Sequence, residues 1–260
     1  MKKKIFLSVA LLGIGFLGLI DVAYSHPPLL NLTCEKNALT AYYNDLKPNE
    51  SEYLKDVQTV IDKAEAYMNQ KVPATMDKQS VEAHKYAMVL DIDDTSLSNY
   101  PTIKARDFSS SHSQIDETYH TTTSPAVAPV LALYNKAIQK GITVFFITGR
   151  KLESRNPLSE DISPFTIQTL HNAGFNGEIL LDKNLYMAHN EEDVKLHSSE
   201  YKTKIRHKLM SEGYILLVNI GDQDSDFEDS NPRQEGNFKV PNYLYTTSST
   251  LCDQSTLCAQ

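Results

Sequence analysis

Positive charge is in short supply in this 260-residue chain: 25 Lys and Arg stand against 33 Asp and Glu, a formal net charge of −8. Such a balance offers no electrostatic footprint for a nucleic-acid backbone or an anionic membrane, so nucleic acid polymers are excluded as partners. Cysteine occurs three times, as Cys34, Cys252 and Cys258, at the two ends of the chain. None has the Cys-x-x-Cys or Cys/His spacing of a zinc site, and an odd count leaves one thiol over with the pairing of the others open. A Walker-type phosphate loop, a G-x-S-x-G elbow and an H-E-x-x-H helix are all missing. Gly13, Gly15 and Gly18 do spell G-x-G-x-x-G, but without the strand before and the helix after that dinucleotide binding requires.

The chain has one long apolar run, Ile5 to Ile20, preceded by Lys2, Lys3 and Lys4 and followed by Ala23-Tyr24-Ser25. A charged head, an apolar stretch short for a membrane span, and small residues at the minus-three and minus-one positions describe a signal peptide, residues 1–25, cleaved after Ser25. The expected product is an exported domain, residues 26–260, periplasmic or extracellular, with no stable membrane anchor after cleavage. Losing three lysines for one aspartate makes it still more acidic. Its length suits one α/β domain, and its oligomeric state is not written in the sequence.

What is present is a set of apolar strands that end in chemistry. Tyr86 to Thr95, YAMVLDIDDT, runs a strand buried on both faces straight into Asp91, Asp93, Asp94 and Thr95. Like charges a few ångströms apart oppose each other's ionisation, so this crowding asks for a cation such as Mg²⁺. Ile142 to Ile147 is a second strand, ending in Thr148, Gly149 and Arg150: a hydroxyl, an unobstructed amide and a guanidinium, all suited to phosphate oxygens. Lys202 lies near the start of a helix with Ile205 and Leu209 at helical spacing. Tyr214 to Ile220 is a further buried strand, leading through Gly221 to Asp222 and Asp226 as candidate metal ligands. An EF-hand reading of this acidic stretch fails, because the sixth and twelfth positions from Asp222 are Phe227 and Arg233.

Along the chain, Ser51 to Asn69, ahead of the first strand, and Val127 to Lys140 and Pro164 to Ala173 read as helices, the last two stopped by Gly141 and Gly174. Glu178 to Leu181 reads as a short strand. Alternation of this kind predicts an α/β fold: a Rossmann-like parallel sheet with helices on both faces.

Taken in order, VLDIDDTSLSN (Val89 to Asn99), FFITGR (Phe145 to Arg150), YKTKIR (Tyr201 to Arg206), GYILLVNIGDQDSDF (Gly213 to Phe227) and FKVPNYLY (Phe238 to Tyr245) resemble the haloacid dehalogenase superfamily. The nearer likeness is to its acid phosphatase group, which holds the class B and class C enzymes and the plant vegetative storage proteins. Asp224 stands where that group usually has an aromatic residue, most often Trp, and this chain has no Trp at all.

The resemblance implies a Mg²⁺-dependent phosphoric monoester hydrolase acting on small-molecule phosphomonoesters. Asp91 would be the nucleophile, and Asp93 the acid and then base, with its pKa expected above that of Asp91. Thr148, Gly149, Arg150 and Lys202 would bind phosphate. Asp91, Asp93 (through its carbonyl), Asp222 and Asp226 would hold the metal, with Asp226 alternatively orienting Lys202. Asp94 would be structural, its side chain turned away. A small cap would be inserted after the first strand, at about residues 99–124, and its Tyr100, Phe108 and Tyr119 are candidates to stack on a leaving group. The alternatives within the same fold are a non-catalytic storage or binding protein, or a phosphotransferase or 5′-nucleotidase.

Overall fold

The computed structural model describes residues 31–109, 119–152, 161–227 and 235–246. The expected signal peptide, part of the expected cap, and Cys252 with Cys258 lie outside the described residues.

Five strands, β1 (Tyr86–Leu90), β2 (Thr143–Lys151), β3 (Leu185–Ala188), β4 (Ile215–Gly221) and β5 (Asn237–Lys239), form one sheet in the order β3-β2-β1-β4-β5. Every pairing is parallel. Among the described residues the α-helices are α1 (Leu32–Tyr43), α2 (Glu52–Lys71), α3 (Lys78–Ala83), α4 (Tyr100–Ala105), α5 (Ala128–Lys140), α6 (Ser163–Asn172) and α7 (Ser198–Ser211). The chain thus has the α/β fold expected of it.

Side-chain alternation explains why the sheet must be covered twice. Met88 and Leu90 of β1, Val144 and Phe146 of β2, and Leu185 and Met187 of β3 face a large core that also holds Val57, Ile61, Ala64 and Met68 of α2 and Val130 and Leu133 of α5. Ala87, Val89, Phe145, Ile147, Tyr186 and Ala188 point the other way, against Tyr201, Ile205 and Leu209 of α7. Strands buried on both faces need apolar residues at consecutive positions, which is the pattern the sequence displays.

The expected strand at Glu178 to Leu181 does not form. The strand lies at Leu185–Ala188, because Asn184 captures the preceding turn: its Oδ1 accepts the Leu180 N–H at 2.7 Å and its Nδ2 donates to the Glu178 carbonyl at 2.5 Å. A side chain that satisfies backbone groups in this way competes with ladder formation.

Connectivity also sets the site. From β1 the chain moves outward to β2 and β3, then returns across the sheet to β4 and β5. The order reverses between β1 and β4, and in open α/β sheets ligands gather outside the carboxyl ends of the strands at such a switch point.

Candidate active site

β1 and β4 run parallel, with Leu90 opposite Ile220, and the Asp91 N–H donates to the Ile220 carbonyl at 3.0 Å. The ladder therefore delivers Asp91 and Asp222 side by side, one residue past their strands. On the other flank β2 pairs Phe146 with Leu90 and ends nearby with Thr148, Gly149 and Arg150. Lys202, in the second turn of α7, reaches across: its Nζ lies 2.5 Å from Asp91 Oδ1 and 2.5 Å from Asp226 Oδ1. All four side chains are buried.

Asp226 sits in a 3₁₀ turn, Asp224–Asp226, folded back over Gly221. A Cβ at residue 221 would lie 2.1 Å from Asp226 Oδ2, so only glycine lets the carboxylate come this close. The other Asp226 interactions fix it as well. Oδ2 accepts the Gln223 N–H at 2.9 Å, and its carbonyl accepts from Arg206 at 2.8 Å and Asn219 at 2.9 Å. Asp224, in the position of the family's aromatic, is exposed and pairs with Lys239 at 2.5 Å. Gly149 is a second site of close approach, since a Cβ there would be 2.6 Å from Ser198 Oγ on α7.

Asp222 is held by three donors: Thr95 Oγ1 at 3.1 Å on Oδ1, and Gln223 Nε2 at 2.5 Å and Asn242 Nδ2 at 2.7 Å on Oδ2. Asp91, Asp222 and Asp226 bring carboxylate oxygens within 4.8 Å of one another. Burial first, and the neighbouring acids after it, push Asp222 above the usual carboxylate range; Asp91 is raised for the same reasons against the pull of Lys202. Burial would discharge Lys202, but Asp226 and Asp91 outweigh it and hold the ammonium charged. Three buried carboxylates thus crowd around one cation, Lys202, which pairs with Asp91 and Asp226. That surplus of oxygen donors and negative charge suits a hard divalent metal.

Asp93 behaves differently from the expectation. Arg150 grips it with a fork, Nε to Oδ2 at 2.9 Å and Nη2 to Oδ1 at 2.8 Å, while Nη1 donates to Thr166 at 3.1 Å. Burial alone would raise Asp93, but the Arg150 charge and hydrogen bonds, aided by Asn99, outweigh it and hold the carboxyl below its ordinary value. Without a metal the order of the two acids is the reverse of that expected beside Mg²⁺: Asp91 is pushed up and Asp93 down. Arg150, assigned to phosphate on sequence grounds, has each guanidinium nitrogen engaged within the protein, so here it orients Asp93. Thr148 is buried, with its hydroxyl accepting the Arg150 N–H at 3.1 Å. Asp94 turns from the cluster at φ 54°, accepts from the Asn99 amide at 2.9 Å and from the Tyr245 hydroxyl, and is pushed up by burial to about 7.

Two of the three cap aromatics are corrected. Tyr100 is 1 % exposed and stacks on Tyr43 with ring centroids 4.5 Å apart, so no leaving group reaches it. Phe108 packs against the same core and anchors its loop. Tyr119 alone stays beside the site, its ring centroid 4.2 Å from Arg150 Cζ. Sequence reasoning missed Asn99, Gln223 and Asn242 as partners of the acids, and Thr166 as the partner of Arg150. Asn99 and Asn242 fall within the quoted motifs, but amides in loops read as turn formers.

The family model for the HAD superfamily, subfamily IIIB (Acid phosphatase), matches residues 27–248. Acid phosphatase 1 of Solanum lycopersicum is 28% identical over 185 residues, covering 65% of this chain and 67% of its own length. The Stem 31 kDa glycoprotein of Glycine max is 29% identical over 180 residues, covering 68% of this chain but only 58% of its own length. Vegetative storage protein 1 of Arabidopsis thaliana is 28% identical over 213 residues, with coverages of 80% and 70%. Among solved structures, the class C acid phosphatase from Bacillus anthracis shares the fold with a TM-score of 0.60 at 17% identity, covering 83% of this chain and 86% of that one.

Proposed function

Since the chain belongs to subfamily IIIB of the HAD superfamily, the acid phosphatases, we propose that it is an exported, Mg²⁺-dependent phosphomonoesterase that works through an aspartyl-phosphate on Asp91. The observation that carries this reading is the convergence on Asp91: the carboxylate stands at the end of the central strand, with Lys202 Nζ at 2.5 Å and the Thr148-Gly149 corner of β2 beside it.

Asp91 attacks phosphorus in line, the ester oxygen departs, and water then cleaves the acyl phosphate, which divides one displacement into two easier ones. Lys202, the Thr148 hydroxyl and the Gly149 amide receive the equatorial oxygens, whose charge grows in the transition state. Asp226 holds Lys202 in place for this. Asp93 gives its proton to the leaving oxygen and takes one from the hydrolytic water. Arg150 keeps Asp93 ionised at rest, so the donor form is populated as the pH falls, which favours an acid optimum for alkyl esters. Asp91, Asp222, Asp226 and the Asp93 carbonyl would hold Mg²⁺, whose charge offsets repulsion between nucleophile and phosphate.

A storage role is the second reading, favoured by relatives named as vegetative storage proteins; the presence of Asp91 supports the enzyme. A panel of phosphomonoesters assayed with and without chelator separates the two. Hydrolysis abolished by chelation and restored by Mg²⁺ is expected. Full activity after exhaustive chelation removes the metal from the account, and no hydrolysis of any ester leaves the storage reading.

A further inference from the structure

We propose that Asn99 is a positioning residue that selects which oxygen of Asp93 meets the reacting group, an inference that rests on the phosphatase reading above. Asn99 is 1 % exposed and stands at the head of α4. Its Nδ2 donates to Asp93 Oδ1 at 3.0 Å and to Asp94 Oδ2 at 3.2 Å, so both amide hydrogens are given to carboxylates. Its Oδ1 is buried without a hydrogen-bond partner. A buried acceptor left unsatisfied is costly, and it persists where other contacts dictate the orientation. Here they do, because turning the amide over would set its oxygen against two acids.

The consequence is an asymmetry in Asp93. Oδ1 accepts two hydrogen bonds, from Arg150 Nη2 and Asn99 Nδ2, whereas Oδ2 accepts only one, from Arg150 Nε. A carboxylate oxygen has about two lone-pair sites. Oδ1 is therefore filled, and Oδ2 keeps the open site through which a proton passes to or from the substrate. The Arg150 fork by itself treats both oxygens alike, and Asn99 breaks that symmetry. No aspect of the phosphate subsite requires Asn99, so its effect belongs to proton transfer rather than to binding.

The test compares Asn99→Ala with Asp94→Asn, which keeps the Asn99 bond to Asp93 and alters only the loop partner. First-step rates are measured by burst kinetics on an alkyl phosphate and on 4-nitrophenyl phosphate, whose leaving group needs no proton. Asn99→Ala is expected to slow the alkyl ester about tenfold or more, the nitrophenyl ester less than about threefold, with KM nearly unchanged. Asp94→Asn is expected to show no such split. Equal losses on both esters, or the same split in Asp94→Asn, overturn the inference; should Asn99→Ala fail to fold, Asn99→Ser is read in its place. A crystal structure of the variant supplies a readout independent of turnover: an Asp93 Oδ1 left with its Arg150 bond alone, and so equivalent to Oδ2, supports the inference, and another donor filling the site Asn99 vacated overturns it. Absence of hydrolysis by the unaltered chain defeats the phosphatase reading instead, and the hydrogen bonding of Asp93 Oδ1 in the variant still decides the role of Asn99.

Discussion

At the residue scale, the same residue type is driven to opposite behaviour by its neighbours. Asp91 and Asp93 are two positions apart and both carboxylates are largely buried, yet one shares a single lysine with Asp226 and lies beside Asp222, while the other has an arginine to itself. The carboxylates themselves were legible in DIDDT and GDQDSD, because acids at the ends of apolar strands have few structural uses. Their relative pKa was not, since it depends on which cation the fold assigns to each acid, and Arg150 lies 57 positions from Asp93. Removing that cation gives a signed prediction. In Arg150→Gln, Asp93 loses the charge that holds it down, so its proton-donating form survives to higher pH. The basic limb of kcat/KM against pH for an alkyl phosphate should move upward, and an unmoved or lowered limb would disconnect Arg150 from Asp93.

At the scale of elements, β1, β2, β4, α2, α5 and α6 lie within a few residues of the bounds their periodicity set, whereas α1, α3, α4 and β5 are too short or too weakly patterned to be read, and one expected strand is displaced. Glu178 to Leu181 carries apolar residues but is taken by the Asn184 turn, and the short apolar stretch that follows, Leu185–Ala188, supplies the strand. A second case is the junction of β4 with its 3₁₀ turn. The sequence marked Gly221 only as a spacer before Asp222, whereas the structure packs the Asp226 side chain into the space a Cβ would occupy. Gly221→Ala should therefore cost about 1–3 kcal/mol in unfolding free energy, as overpacking does, and displace the partner of Lys202. Chemical denaturation alongside turnover checks this. Wild-type stability and activity in Gly221→Ala would show that the turn relaxes without consequence.

At the scale of the whole molecule, the site is a concentration of buried negative charge that the fold tolerates at a pH-dependent cost. Asp94 is raised to about 7 and Asp222 is raised with it, in both cases chiefly by burial. A carboxyl whose folded pKa is raised adds stability below its unfolded value of about 4, and that contribution is lost as the pH climbs through the folded value. Asp93, shifted the other way, loses its contribution only below that window. With chelator present, the thermal midpoint should fall between about pH 4 and pH 7, and a divalent cation should raise it more at the upper end. A flat or rising midpoint in chelator would mean that the acids are already compensated by the protein alone.

In the proposed mechanism the same concentration of charge serves one event, transfer of a phosphoryl group to Asp91, and that event can be observed directly. The purified chain is mixed with a phosphomonoester and Mg²⁺, quenched in acid within the first turnover, digested and read by mass spectrometry. The account predicts phosphate on the carboxylate of Asp91, absent from Asp91→Asn and shed when the native enzyme is allowed to turn over. Phosphate on another residue, or undiminished hydrolysis by folded Asp91→Asn, would contradict it.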